Sequence, residues 1–305
     1  MNSRISKLFL LLLVLLIIAG CGNKPVQKSA ALPSDTPQAS DSLPESLADE
    51  YAGMSNDELR SKVEARYSVE VYWNAEVKAP FPGGIPPLED ETLVRKFLIL
   101  LDQQLALYPE GFFASLKEKD YGVRFFPAPM VNGLIPDSKV GGTTVPSDDG
   151  HINIAINASL WTDEWPAPIT TYSGCPYIQY AIHHELGHAL DWYIINAAIA
   201  FDYNKWKRLL PKGYKYFDDY ELELQTKELF LEHAAPYLDE GQKGIWFCDY
   251  YAQTNREEHV ASLFGYAMCP YQPEEWKSPH VQEQVNYYFS LISKVFKTEG
   301  WPARG

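Results

Sequence analysis

The pentad His184-Glu185-Leu186-Gly187-His188 sets two imidazoles four residues apart with a carboxylate between them. No other feature restricts the surrounding fold as much. On a helix, residues four apart share one face, about one turn from each other. Two imidazoles so placed can both reach one zinc ion at about 2.0–2.1 Å. Glu185 then stands beside the metal, placed to take a proton from a water. Ile182, Leu186, Ala189, Tyr193 and Ile194 supply the apolar side of the same helix. Pro176 suits a first helical turn, so the spacing predicts one long helix over about 176–199.

A third ligand has to come from elsewhere in the chain. A histidine at 194 would mark the metzincin pattern, but 191 is Asp and 194 is Ile, which excludes that class. A downstream glutamate is the usual alternative, and the stretch Tyr251-Ala252-Gln253-Thr254-Asn255-Arg256-Glu257-Glu258 offers two. Thr254 and Glu257 have capping-box spacing, which gives Glu257 a structural task. Glu258 points about 100° away on a helix and is free to bind metal. His233 and His259 compete with it for the role. Asp191 lies beyond His188 on the same face, either accepting the outer N–H of a ligand histidine or standing as a surface carboxylate. His183 is one residue off the metal face and is read as a packed neighbour.

These residues together resemble a known family. His184-Glu185-x-x-His188 followed by Tyr251-x-x-Thr254-Asn255-x-x-Glu258-x-x-Ala261-x-x-Phe264 is similar to the anthrax-lethal-factor-like zinc peptidases. The bacterial secreted proline-specific endopeptidases have a similar Tyr-then-Glu order. Tyr108-Pro109-Glu110-Gly111-Phe112-Phe113 and the stretch from Trp206 to Tyr216 also look like lipoproteins described only as zinc peptidases. The resemblance implies a gluzincin-like site holding one Zn²⁺. His184, His188 and Glu258 would be ligands, Glu185 the base, and Tyr251 the hydrogen-bond donor to the transition state. One departure stands out: the related pattern usually carries Glu where this chain has Ser262.

The N-terminus reads as an address. Arg4 and Lys7 precede an apolar run from Leu8 to Ala19, too short to span a bilayer comfortably and suited to a signal peptide. It ends in Ile18-Ala19-Gly20-Cys21, which resembles a lipobox, so residues 1–20 are expected to be removed and Cys21 to carry the lipid. Acyl chains add about 0.8 kcal/mol per buried methylene, enough to hold a protein on the extracytoplasmic face of a membrane. Residues 21–50 contain Pro25, Pro33, Pro37 and Pro44 among Ser, Ala and Asp, with no aromatic before Tyr51. Such a segment cannot bury enough apolar surface to order itself and reads as a tether. The domain proper is expected over 51–305.

Within that domain the pattern suggests an α+β, zincin-like fold, a small mixed sheet packed on a mainly helical half. Ser55 and Glu58 have capping-box spacing and should start a short helix. Strands are expected at Tyr67–Trp73, Tyr121–Phe126 and His151–Asn157, the last with one wet face. Helices are expected over 89–107, from Pro109 to near Lys119, near 219–234 and 256–268, and from Ser278-Pro279 onward. Ile152, Asn153 and Ile154 are the candidate edge strand that would add an extended peptide substrate. A net charge of −14 with no basic cluster after the N-terminus excludes a nucleic-acid binder. Cys175, Cys248 and Cys269 allow three pairings in a compartment that permits disulfides. The sum is a membrane-anchored zinc metallopeptidase acting on peptides or proteins. A non-catalytic zinc-containing binding lipoprotein and a zinc hydrolase of a non-peptide bond are the alternatives.

Overall fold

The computed structural model describes residues 50–74, 81, 84–129, 131–132, 139–161, 177–196, 201–220, 227–269, 272–296 and 301. The expected signal peptide, Cys21, nearly all of the tether, Cys175 and Pro176 lie outside these residues. Among the described residues no helix is long and apolar enough to cross a membrane.

Helix α1 (Asn56–Tyr67) opens on the expected capping box: the Ser55 hydroxyl accepts from the Glu58 N–H, and the Glu58 carboxylate accepts from the Ser55 N–H. The helix runs to Tyr67 and closes on Ser68 in the left-handed conformation. The strand expected from Tyr67 is thereby cut to the two residues of β1 (Glu70–Val71). Helix α2 (Glu91–Leu105) is capped by Asp90 and buries Val94, Phe97, Leu98, Leu101 and Leu105. A short α3 (Phe112–Lys117) leads into the sheet.

The sheet is built from β1, β2 (Gly122–Ala128), β5 (Gly142–Pro146) and β6 (His151–Asn157) in the order β1-β2-β6-β5. The first three run parallel and β5 runs antiparallel to β6. A hairpin of β3 (Val131–Asn132) and β4 (Lys139–Val140) stands beside it. Side chains alternate across the pleat. Val123, Phe125, Ile152, Ile154 and Ile156 enter the main core, whereas Phe126, Ala128 and Ala155 meet Phe81, Ile85 and Val131 on the other face. Strand β6 was expected to have one wet face; both faces are covered, as is usual where parallel strands are packed on each side.

The rest is mainly helical: α4 (Tyr177–Asn196), α5 (Tyr203–Arg208), α6 (Lys227–Ala234), α7 (Arg256–Met268) and α8 (Pro279–Ile292), with a small ribbon of β7 (Leu238–Asp239) and β8 (Gly244–Ile245). The arrangement is the mixed α+β one expected. Cys248 and Cys269 are buried and are not joined to each other.

Helix α4 lies between the sheet and α7. It buries Ala189, Tyr193 and the aliphatic side chains of Ile178, Ile182, Leu186, Leu190 and Ile194, the aliphatic ones contributing roughly 1.5–3 kcal/mol each. Gly187 decides how close α7 can come. A Cβ there would sit 2.9 Å from the Cα of Ala261, so any side chain would push the two helices apart. From α8, the Tyr288 hydroxyl donates to the Gly187 carbonyl at 3.3 Å.

Candidate metal centre

His184 and His188 occupy the α4 face turned toward α7. Their Nε2 atoms converge on one oxygen, Oε2 of Glu258, at 3.1 Å and 3.2 Å. The two rings are nearly perpendicular, with centroids 4.9 Å apart. One ligand atom from each residue lies within 4.8 Å of the others. Two imidazole nitrogens and a carboxylate oxygen with this convergence form a donor set that could hold a metal ion. Among the described residues no other group of His, Cys, Asp and Glu meets that test.

Glu258 reaches this point because of how α7 begins. The capping pair expected from Thr254 and Glu257 does not form. Asn255 is the N-cap, its side-chain oxygen accepting from the Glu258 N–H at 2.8 Å. Its amide nitrogen donates to Asp218 at 2.9 Å. Thr254 and Asn255 are both good caps, and one residue of difference in the helix start decides between them. Glu257 instead accepts from Arg256 at 3.0 Å, so it still has a structural partner while the Glu258 carboxylate turns to the histidines.

The competing histidines are occupied elsewhere. His259 is bonded through Nδ1 to the Tyr216 hydroxyl at 2.9 Å and through Nε2 to Gln284 at 3.0 Å. His233 meets Tyr220 at 3.2 Å within an aromatic cluster. His183 is the packed neighbour expected of it, wedged between Tyr108 and Gln104. Burial pushes both His183 and His259 down to about 3, so each is a neutral core imidazole.

Asp191 is neither a partner of a ligand histidine nor a surface carboxylate. It is buried, and both its oxygens are taken by Arg256, Oδ1 by Nη1 at 2.8 Å and Oδ2 by Nη2 at 2.6 Å. The Arg256 guanidinium also lies 4.8 Å over the Phe201 ring. Arg256 is the first residue of α7, so the bidentate pair ties the turn after His188 to the turn that carries Glu258.

The charges inside the site are strongly coupled. Burial works against ionised Glu258, but the charge of His188 and hydrogen bonds from both imidazoles hold its carboxyl well below the usual range. For His188 burial likewise opposes charge, and the pull of Glu258 with help from Glu185 and Asp191 lifts it to about 9. A proton is favoured where a cation fits, as expected of a site whose metal must displace protons. Glu185 is raised above the ordinary value by burial, against the opposing influence of His188, His184 and a hydrogen bond from Thr144.

The strand beside the site is β5. Ile152, Asn153 and Ile154 are not an edge: β6 pairs with β2 along its whole length on one side and with β5 on the other. Asn153 is also buried on the sheet face away from α4. The outer edge belongs to β5, which passes directly over Glu185. A Cβ at Gly142 would lie 2.7 Å from the Glu185 Cγ, so glycine is required there. One turn of the pleat further on, the Thr144 hydroxyl donates to Glu185 Oε2 at 2.7 Å.

Two tyrosines complete the lining. Tyr251, in the 3-10 turn Tyr251–Gln253, packs on His184 with centroids 5.7 Å apart and donates to Glu258. Burial, with Glu258 and Glu185 behind it, raises its pKa far above the ordinary value, so it remains a phenol. Tyr177 accepts from the Gly141 N–H and is pushed up to about 12 by burial and then by Glu185. Thr144, Gly142, Tyr177 and Arg256 were not legible as site residues, because each is brought in by a contact distant in sequence. Tyr180 was within reach of sequence reasoning: it stands four residues before His184 and so faces the same way. Compared with known proteins, the chain matches no family model and no curated protein.

Proposed function

We propose that this protein is a zinc-dependent peptide hydrolase of zincin-like architecture, resembling the anthrax-lethal-factor-like peptidases and held on the outer face of a cell membrane by a lipid on Cys21. The observation that carries the reading is the meeting of two helix-borne imidazoles and Glu258 at one point, with a buried Glu185 beside them under β5, the end strand of the sheet among the described residues. Two histidines and one carboxylate are a ligand set of catalytic zinc, which keeps a position open, whereas structural zinc is closed by four protein ligands.

A zinc ion held by these three residues would supply Lewis acidity to a water and to a substrate carbonyl. Glu185 is the base. Thr144 holds its Oε2, leaving Oε1 to take the proton from the attacking water and pass it to the leaving amine. Its raised pKa suits a group that must both accept and return a proton. Tyr251, kept protonated by burial, would serve a developing oxyanion by turning its hydrogen away from Glu258. The outer backbone groups of β5 can pair with an extended peptide, which favours a peptide over other hydrolysable bonds.

The test is cleavage of a peptide library by the purified protein, read by mass spectrometry. Chelation should abolish cleavage and zinc should restore it. Glu185→Gln should keep zinc and lose turnover; cleavage that survives this substitution removes Glu185 as the base. Zinc binding without cleavage of any peptide would point to a binding protein or to a non-peptide substrate.

A further inference from the structure

The outer nitrogen of His184 faces a chain of two neutral hydroxyls. Its Nδ1 lies 3.2 Å from the Tyr180 hydroxyl, and 3.2 Å separates that hydroxyl from Ser262 Oγ. A phenol has one hydrogen. With its hydrogen on Ser262, Tyr180 accepts from His184, and Nδ1 carries a proton. A metal has then only to displace the Nε2 proton that bonds to Glu258 at 3.1 Å to reach the lone pair of that nitrogen. Were the order reversed, with Ser262 donating and Tyr180 donating to Nδ1, the ring's one proton would stay on Nε2, the ligand atom.

The packing shows that this arrangement is built in. Ser262 is fully buried on α7, one turn after Glu258. The Tyr180 ring reaches it across the helix interface only because residue 265 is glycine. A Cβ there would lie 2.9 Å from Tyr180 Cε2 and 3.4 Å from the His184 Cα. The Tyr266 ring also packs on Tyr180, tilted by 45° with centroids 4.7 Å apart. Each part of the relay thus sits on one of the two helices that also carry the metal-facing residues.

We propose that Tyr180 and Ser262 are positioning residues for the metal centre, a neutral two-hydroxyl relay that fixes the ring of His184 and its tautomer. The proposal rests on the metal reading above and not on peptidase activity. Outer partners of ligand histidines are commonly carboxylates, which orient the ring and also make it a stronger donor. A phenol backed by a serine orients the ring without adding negative charge, so a bound cation here keeps more of its own charge. Ser262 is therefore a working replacement for an acidic residue and not a gap in the site.

The experiment is zinc affinity of the purified full chain, measured by competition with a chromophoric chelator, together with the visible spectrum of the cobalt-substituted protein. Tyr180→Phe removes the hydroxyl and keeps the ring, and should weaken zinc roughly 10- to 100-fold and alter the cobalt bands. Ser262→Ala leaves Tyr180 free to turn its hydrogen toward Nδ1 and should weaken zinc in the same direction. Ser262→Thr keeps the acceptor and should restore affinity. Circular dichroism establishes that each variant is folded, and Ser262→Ala serves should Tyr180→Phe fail to fold. Wild-type affinity and an unchanged cobalt spectrum in both Tyr180→Phe and Ser262→Ala would overturn the relay. A wild-type protein that binds no zinc would overturn the metal centre itself, and with it the relay.

Discussion

The Thr144 hydroxyl and the Glu185 carboxylate are joined at 2.7 Å, and through that bond the edge strand β5 and the helix α4 share the group proposed as the base. The same hydroxyl also lies 3.1 Å from the Glu185 carbonyl. A peptide pairing with the outer edge of β5 would therefore press on a strand that already grips Glu185.

Thr144→Val keeps the shape and removes the donor. A hydrogen bond to a charged group is worth about 1.5–3 kcal/mol, so kcat should fall on the order of tenfold or more, with KM and zinc content little changed. Thr144→Ser should retain most of the turnover. Steady-state kinetics on one peptide substrate checks this, and an unchanged kcat in Thr144→Val would remove the strand from the control of the base.

The buried pair Asp191–Arg256 should be worth more as a pair than its members are alone. Arg256→Met leaves a buried carboxylate without its partner and should cost about 3 kcal/mol, read as a lower urea midpoint. Replacing both residues, Asp191→Leu with Arg256→Met, should recover most of the loss. A loss in the double variant equal to the sum of the losses in Asp191→Leu and Arg256→Met alone would mean that the two side chains do not act on each other.

Asp218 gives the stability a pH dependence of defined sign. Burial, only partly offset by the amide of Asn255, raises its pKa from 3.8 to about 6. The native protein therefore holds this proton more tightly than the unfolded chain. Its favourable contribution is fully present below pH 3.8 and is lost as pH rises through about 6. Asp218→Asn should stabilise the chain at pH 7.5 by about 1 kcal/mol after solvent screening is allowed for, and by nothing at pH 3.5. The hydrogen bond from Asn255 can be kept by the new side-chain oxygen. Urea titrations of both proteins in chelator at the two pH values check the difference, and a gain that is the same at both would exclude Asp218 as its source.

How much was legible follows from how far each relationship extends along the chain. The pair His184 and His188, the carboxylate between them and the apolar side of their helix are properties of a 3.6-residue repeat, so local spacing was sufficient. Glu258 was identifiable as the later carboxylate, although the reason offered for its freedom named Thr254 as the cap where Asn255 takes that position. Asp191 was placed on the right face, but the partner on that face comes from α7 and not from a ligand ring.

The edge strand shows the same limit more sharply. His151–Asn157 has the stronger alternation, yet strength of pattern says only that a strand forms. Which strand stands at the edge depends on the order of the sheet, and the weakly patterned Gly142–Pro146 takes that place. The sequence by itself determined the helix, its paired imidazoles and the carboxylate between them, because those are neighbours within one turn. Only the tertiary structure decided the cap, the edge, the grip of Thr144 and the relay through Ser262. Each of these is a contact between elements, and its partner is chosen by how closely two helices and a sheet can pack.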